Sequence, residues 1–270
     1  MPSLGLGLGL HRAASSFLDP DVQAFKEESG ATDLSGLNAL VKYLKSEGLY
    51  NNFVIYPMQS AQNAGSGSTV YSLGGKTDND LTIQGGAAWD ANGFDTNGVD
   101  QYFLASDFLA NDSTTMWLRH TPVNADIASA MALCGQANAS IDQRNVYSFY
   151  GATNDSLFVA RSSDGTSTNQ EQYESALNFI TTSDRTVSCS WVNGGGRSAR
   201  VDGASVGLSL VAGSAQTSGF NSAVDFSVCA LANGSLPAEF NDVKACAVYS
   251  GTTPITTTQN DAITDLINAL

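Results

Sequence analysis

Among the side chains that could do chemistry, the carboxylates come first. Glu171 and Glu174 stand three apart in Gln170-Glu-Gln-Tyr-Glu-Ser175. Cleaving a glycosidic bond needs two carboxyl groups flanking it, and strand residues three apart point to opposite faces. This pair is therefore not expected to serve as acid and base, and Glu27-Glu28 reads as an exposed helix face. The two histidines, His11 and His120, lack a Gly-x-Ser-x-Gly elbow, so a serine triad is not expected. The cysteines Cys134, Cys189, Cys229 and Cys246 form no CxxC pair and lie in apolar runs, which suits buried reduced thiols rather than a zinc site. No catalytic residue is assigned. Sugar binding would use an exposed aromatic ring beside polar loop groups, and Trp89, Tyr102 and Tyr173 are the candidates for such a platform. Trp117 and Trp191 alternate into strands and read as core.

The glycines do not make a phosphate site. The leader has no Gly-Lys-Ser/Thr ending, and Gly194-Gly195-Gly196 after Asn193 reads as a hairpin turn. Charge points the same way. The net charge of the 270 residues is −14, with 4 basic and 6 acidic groups before residue 61 and 8 and 20 after it. A field of that sign repels nucleic acid and anionic membranes. No run of 18 apolar residues suits a membrane span, and the start lacks a basic region ahead of its apolar stretch, so no secretion signal is expected. The Asn-x-Ser sequons at Asn111, Asn138, Asn154 and Asn233 are then chance matches.

The elements that would position these groups are legible along the chain. In residues 1–17, Leu4, Leu6, Leu8 and Leu10 alternate with glycines, ahead of His11 and Arg12. Such a strand shows all its leucines on one side but is too flexible to hold its shape alone, so it reads as an extended docking arm. Asp19-Pro20 predicts a helix start, and Gly30 its end. A second helix is predicted from Thr32 or Asp33, with Leu34, Leu37, Leu40, Val41 and Leu44 as its stripe and Gly48 as its stop. The middle of the chain is short apolar alternations between turns: Thr114–His120, Val146–Tyr150, Ser156–Ala160 and Thr186–Val192. That rhythm predicts an antiparallel β-sandwich or jelly roll. Thr256-Thr-Thr-Gln259 is a capping-box pattern before a closing helix with Ile263, Leu266, Ile267 and Leu270 in its stripe.

The segment Gly86–Phe103, with its Trp-containing strand and Asn97-Gly-Val-Asp-Gln-Tyr102 turn, resembles the opening of concanavalin-A-like, laminin-G-like domains. Thr115–His120, Arg185–Val192, the Val201-Asp-Gly203 turn and Phe240–Tyr249 are similar to later strands of that family, in the same order. The resemblance implies a mostly β, concanavalin-A-like sandwich over 61–270, behind a small helical segment over 18–60 and the arm over 1–17. That family often binds calcium through loop carboxylates, for which Asp95, Asp100 and Asp164 would serve, with Asp78-Asn-Asp80 as the nearest run; no specific motif supports a bound metal, and no cofactor is expected. The helical hairpin leading to Ile55-Tyr-Pro57, together with the Leu-Gly arm, resembles tailed-bacteriophage virion proteins. That likeness implies a non-enzymatic fibre, tail or head-decoration component, made in the host cytoplasm and residing in the virion. Its partners would be other virion proteins through the arm, further copies of itself (a trimer is expected), and host-surface glycan. A glycan-binding lectin module is the alternative, and a glycoside-acting enzyme the disfavoured one.

Overall fold

The computed structural model describes residues 17–76, 79–106, 108–109, 113–123, 131–137, 144–150, 156–162, 170–178, 183–192, 196–213, 225–231 and 237–270. Two helices come first, α1 (Pro20–Ser29) and α2 (Ser35–Ser46). The Asp19 carboxylate caps α1 by accepting from the Asp21 N–H at 3.0 Å, and Gly30 ends it in the left-handed region at φ 75°. The second helix begins at Ser35, later than predicted, and the N–H groups of Thr32 and Asp33 ahead of it donate to the Ala61 carbonyl at 2.8 and 2.9 Å. A 3-10 turn at Tyr50–Asn52 then leads into β1 (Phe53–Pro57).

The remaining strands are β2 (Thr69–Val70), β3 (Leu81–Gln84), β4 (Tyr102–Ala105), β5 (Ser113–Pro122), β6 (Met131–Ala137), β7 (Arg144–Tyr150), β8 (Ser156–Ser162), β9 (Gln170–Asn178), β10 (Arg185–Val192), β11 (Arg197–Val201), β12 (Ala204–Val206), β13 (Leu208–Gly213), β14 (Phe226–Val228) and β15 (Phe240–Gly251). Helix α3 (Thr257–Asn268) follows, and both halves of its predicted Thr256/Gln259 capping box form. The strands make two antiparallel sheets: β1-β15-β5-β10-β11-β12, and β13-β9-β8-β7-β6-β14-β4-β3-β2. The chain is thus the mostly β, antiparallel sandwich that its sequence predicts.

While β11 and β12 are partly exposed, strands β1, β15, β5 and β10 of the six-stranded sheet are buried on both faces. Toward the second sheet they point Val54, Tyr56, Met116, Leu118, Val187, Cys189, Cys246 and Val248. Toward the helices they point Phe53, Ile55, Trp117, Ala245, Ala247 and Tyr249. Against that outer face pack Val22 and Phe25 of α1, Leu37, Leu40, Val41 and Leu44 of α2, and Ile263 and Ile267 of α3. Phe53 stacks on Trp117 with ring centroids 5.6 Å apart. Two-sided burial explains why β1 reads as a continuous apolar run and why β5 and β15 bury side chains at successive positions. Residues 18–60 therefore share their apolar core with strands from residues 61–270, and β1 pairs directly with β15.

Polar pins fix the helix layer. Asn260 of α3 is buried, and its Oδ1 accepts from Trp117 Nε1 at 3.1 Å, Ser188 Oγ at 3.1 Å and Thr264 Oγ1 at 3.3 Å. Thr186 Oγ1 donates to Asn268 Oδ1 at 2.5 Å. A separate stitch joins the sheets. In the β3–β4 connection Phe94 exchanges backbone hydrogen bonds with Val243, at 3.1 and 2.8 Å, where the β15–β5 register slips between Asn241 and Ala245. Gly93 makes that approach possible, since at its φ of 134° a Cβ would lie 2.5 Å from the Val243 carbonyl oxygen.

Replacing Asn260 by Leu keeps the branched outline, at somewhat larger volume, but strands the Trp117 N–H and the Ser188 hydroxyl in the interior. A loss of about 1–3 kcal/mol is expected in urea unfolding, without loss of the sandwich.

Candidate functional site

The proposed aromatic platform does not assemble. Tyr102 starts β4 on the outer face of the nine-stranded sheet, where it is half-buried opposite Gln84. Tyr173 on β9 points the other way, into the space between the sheets, and packs against the core. Strands β14, β6, β7 and β8 lie between β4 and β9. Five interstrand steps separate the two rings by roughly 24 Å. Trp89 is half-buried in the β3–β4 connection, its ring centroid 4.5 Å from Phe94, which in turn meets Phe103 at 4.9 Å. Its Nε1 donates to the Gly67 carbonyl at 3.1 Å, so it covers one end of the core. The sheet order therefore holds the three candidate rings at separate positions rather than side by side.

The carboxylates are held by local partners. Asp80 Oδ1 accepts from the Ser72 N–H at 2.7 Å, Asp100 Oδ1 from Asn97 Nδ2 at 2.7 Å, and Asp95 Oδ1 from the Asp242 N–H at 3.1 Å. Asp78 and Asp164 lie outside the described residues. Among the described residues no three His, Cys, Asp or Glu side chains converge as metal ligands. Glu171 and Glu174 fall on opposite faces of β9. Glu171 is buried and ion-paired with Arg197 of β11, also buried, so the pair spans the two sheets. Asp184 receives Arg119 Nη2 at 2.8 Å and Lys244 Nζ at 2.9 Å. Burial works to raise its carboxyl, but those cations and their hydrogen bonds hold it below the usual carboxylate range.

His120 is fully buried between Tyr150 and Phe240, with ring centroids 5.8 and 4.4 Å away. Its Nε2 lies 3.1 Å from Tyr150 Oη and its Nδ1 3.3 Å from the Leu118 carbonyl. Burial is the main cause that lowers its pKa from 6.5 to about 3. The four cysteines are unpaired and buried. Burial pushes the thiols of Cys189, Cys229 and Cys246 well above their ordinary range, which removes their nucleophilic form.

The clefts lie on the helix layer, where no sequence motif pointed. One of about 380 Å³ runs between α1 and the Ser72–Gly75 loop, lined by Asp21, Phe25, Glu28, Tyr50, Asn51 and Ser72 among others. A neighbouring hollow of about 210 Å³ shares Asp21, Tyr50 and Asn51 and adds Lys45. Lys45 Nζ sits 2.5 Å from Asp19 and 2.6 Å from Asp21, and 4.8 Å from the centre of the Tyr50 ring. Burial would discharge Lys45, but those two carboxylates raise its pKa instead. Burial and the Asp21 charge raise the Tyr50 phenol, so it stays protonated. The 380 Å³ cleft therefore offers carboxylate and amide groups at one wall, a chemistry suited to hydroxyl-rich ligands. The only sequence signal for it is the glycine pair Gly74-Gly75, which lets the loop close over Asn51. A third groove, of about 590 Å³, is lined by Leu18, Lys26, Leu34, Asn38 and Lys42. Lys42 Nζ donates to the Phe17 carbonyl at 2.9 Å, and the Phe17 side chain is 80% exposed. The arm residues Leu4, Leu6, Leu8, Leu10, His11 and Arg12 lie outside the described residues.

No family model matches the chain, and no curated protein matches its sequence. Solved structures do share its fold. The receptor binding domain of botulinum neurotoxin C/D mosaic serotype superposes with a TM-score of 0.51 at 6% identity, over 80% of this chain and 51% of that one. A botulinum neurotoxin type C structure, a toxin whose cell entry depends upon two ganglioside molecules, gives 0.52 at 9% identity, over 82% and 53%. The binding domain of botulinum neurotoxin DC in complex with SialylT gives 0.53 at 8% identity, over 81% and 52%. The chain thus spans about half the length of these structures, and at such identities the likeness is one of fold.

His120 gives this region a pH signature. Between pH 6.5 and about 3 the unfolded chain binds a proton at His120 that the folded chain refuses. Stability contributed by the neutral ring is complete above 6.5 and is lost as pH falls through that window, with a slope of up to about 1.4 kcal/mol per pH unit. His120→Phe is expected to flatten this part of the profile in urea unfolding between about pH 7 and about pH 4.

Proposed function

We propose that the protein is a non-enzymatic structural component of a bacteriophage virion, held by its N-terminal arm and displaying the β-sandwich. The observation that carries this reading is the place where the arm joins the body. Phe17 is exposed on the helix layer, beside the groove at Leu18 and Lys42, and away from the nine-stranded sheet. Anchoring and display then use opposite sides of the molecule. The Leu-Gly alternation of the arm supports it, since an apolar stripe on a flexible strand is stabilised only by a partner. Deletion of residues 2–16 is expected to abolish incorporation into particles while thermal unfolding stays within a few degrees of the full chain. Undiminished incorporation would end the arm reading.

The second reading, recognition of a cell-surface glycan by the displayed domain, is favoured by the receptor-binding proteins that share the fold. In this chain the 380 Å³ cleft offers a site for it, on the helix layer and so on the same side as Phe17 rather than on the face that the first reading displays. With Asp21 and Glu28 at its wall and a net charge of −14, it suits a neutral or amino sugar better than a sialylated one. Binding on a glycan array is expected to fall at least about tenfold in a Glu28→Ala, Asn51→Ala double variant, the scale of one or two lost hydrogen bonds. A blank array at high protein concentration would remove the glycan reading and leave the structural one standing.

A further inference from the structure

The groove of about 590 Å³ on the helix layer has an apolar lining in Leu18, Leu34 and Ala39. Lys26 and Lys42 also line it, and their methylene stems add to that apolar surface. Asn38, another lining residue, is buried, and its Oδ1 accepts from the Asp19 N–H at 2.8 Å. Its Nδ2 meets no acceptor among the described residues, so the groove holds a free donor as well.

An apolar groove on a surface is stabilised by whatever covers it. The described chain begins at this groove. Lys42 Nζ holds the Phe17 carbonyl at 2.9 Å, and the next residue, Leu18, is part of the wall. Residues 1–16 therefore start from the groove itself, with the Phe17 side chain exposed beside it.

We propose that this groove seats the chain's own N-terminal arm, with Leu8 and Leu10 inside it and residues 11–16 as the connecting loop. The dimensions agree. Ser35 and Lys42 mark the length of the groove along α2, seven residues at 1.5 Å each, or about 10 Å. An extended Leu8-Gly9-Leu10 shows both leucines on one side, roughly 7 Å apart. A loop of six residues is of ordinary length between packed elements. The segment carries no charge, which suits a groove edged by two lysines, and its backbone carbonyls supply the acceptor that Asn38 lacks.

The tether selects this occupant over a second copy. A short flexible linker gives an effective concentration on the order of 1 mM, far above that of a free copy at micromolar levels. An affinity of only ~0.1 mM then keeps the groove filled about nine times in ten. Leu4 and Leu6 stay outside. A partner that needs all four leucines must displace this latch, and its apparent affinity falls in proportion to the undocked fraction. The docking stands on the arm and the groove alone, whatever the chain assembles with.

Nuclear magnetic resonance of the full chain, labelled at leucine and alanine methyls, tests it. Ala39 is exposed on α2 and reports the groove. Its methyl is expected to show contacts with Leu8 or Leu10, and to shift in Leu8→Ser with Leu10→Ser but not in Leu4→Ser with Leu6→Ser. The shift is expected to be the same from about 20 µM to several hundred µM, because a tethered segment does not feel dilution. In Ala39→Arg, which fills the groove from an exposed helix position, a soluble paramagnetic probe should broaden the Leu8 and Leu10 methyls several-fold more than in the wild type. An Ala39 methyl indifferent to the Leu8 and Leu10 changes overturns the docking, as do leucine methyls equally open to the probe with and without Ala39→Arg. A shift that grows with concentration also overturns it, by placing another copy's arm in the groove. The remaining sandwich resonances, unchanged in each variant, show that the fold is kept.

Discussion

The structure depends on a sheet that must be covered twice. Strands β1, β5 and β15 carry aromatic and aliphatic side chains on both faces, so the six-stranded sheet cannot leave either one in water. The nine-stranded sheet covers one face; α1, α2 and α3 cover the other. Hence helices from the two ends of the described chain meet on a single surface, and the helical hairpin is part of the sandwich's own core rather than an appendage. Phe53 and Trp117 stand at the centre of that second layer, and Trp117 is fixed in place from above by Asn260.

Apolar layers alone would let the helices slide, because apolar contact has no direction. The buried polar groups supply direction. Asn260 gathers Trp117, Ser188 and Thr264 on one oxygen, which ties one turn of α3 to β5 and β10. Between the sheets Glu171 reaches Arg197, and His120 joins the Tyr150 hydroxyl. Such groups contribute little net stability, since desolvation offsets much of what pairing returns, but each penalises any arrangement that leaves its partner unmet. The β3–β4 connection adds the same kind of constraint through backbone, where Phe94 and Val243 bridge the sheets.

Much of this was legible in the sequence wherever a local rule decided it. The Asp19-Pro20 start, the Gly30 stop and the Thr256/Gln259 box are chemistry within one turn, and all form. Thr114–His120 and Thr186–Val192 were readable as strands, with Trp117 and Trp191 buried as their alternation implied. The start of α2 falls at Ser35 rather than at Thr32 or Asp33, whose N–H groups meet the Ala61 carbonyl, nearly thirty residues on, a contact no local rule shows. The separation of the three candidate rings was illegible for a related reason. Alternation tells that neighbours on a strand face opposite ways, but not which way is inward, nor that four strands part Tyr102 from Tyr173. The clefts are products of packing between elements distant in sequence, and only Gly74-Gly75 hinted at one.

The two-sided sheet also divides the surface of the molecule. The three clefts described above, and the exposed Phe17, lie on the helix layer, while the uncharged β13 edge belongs to the other sheet. Between them lies the six-stranded sheet, close-packed on both sides, which resists deformation as a unit. Binding on one side therefore need not disturb the other, and the two surfaces are free to serve separate partners. Net charge has the same sign on both parts of the chain, −2 over residues 1–60 and −12 over the rest, so it sets neither surface apart.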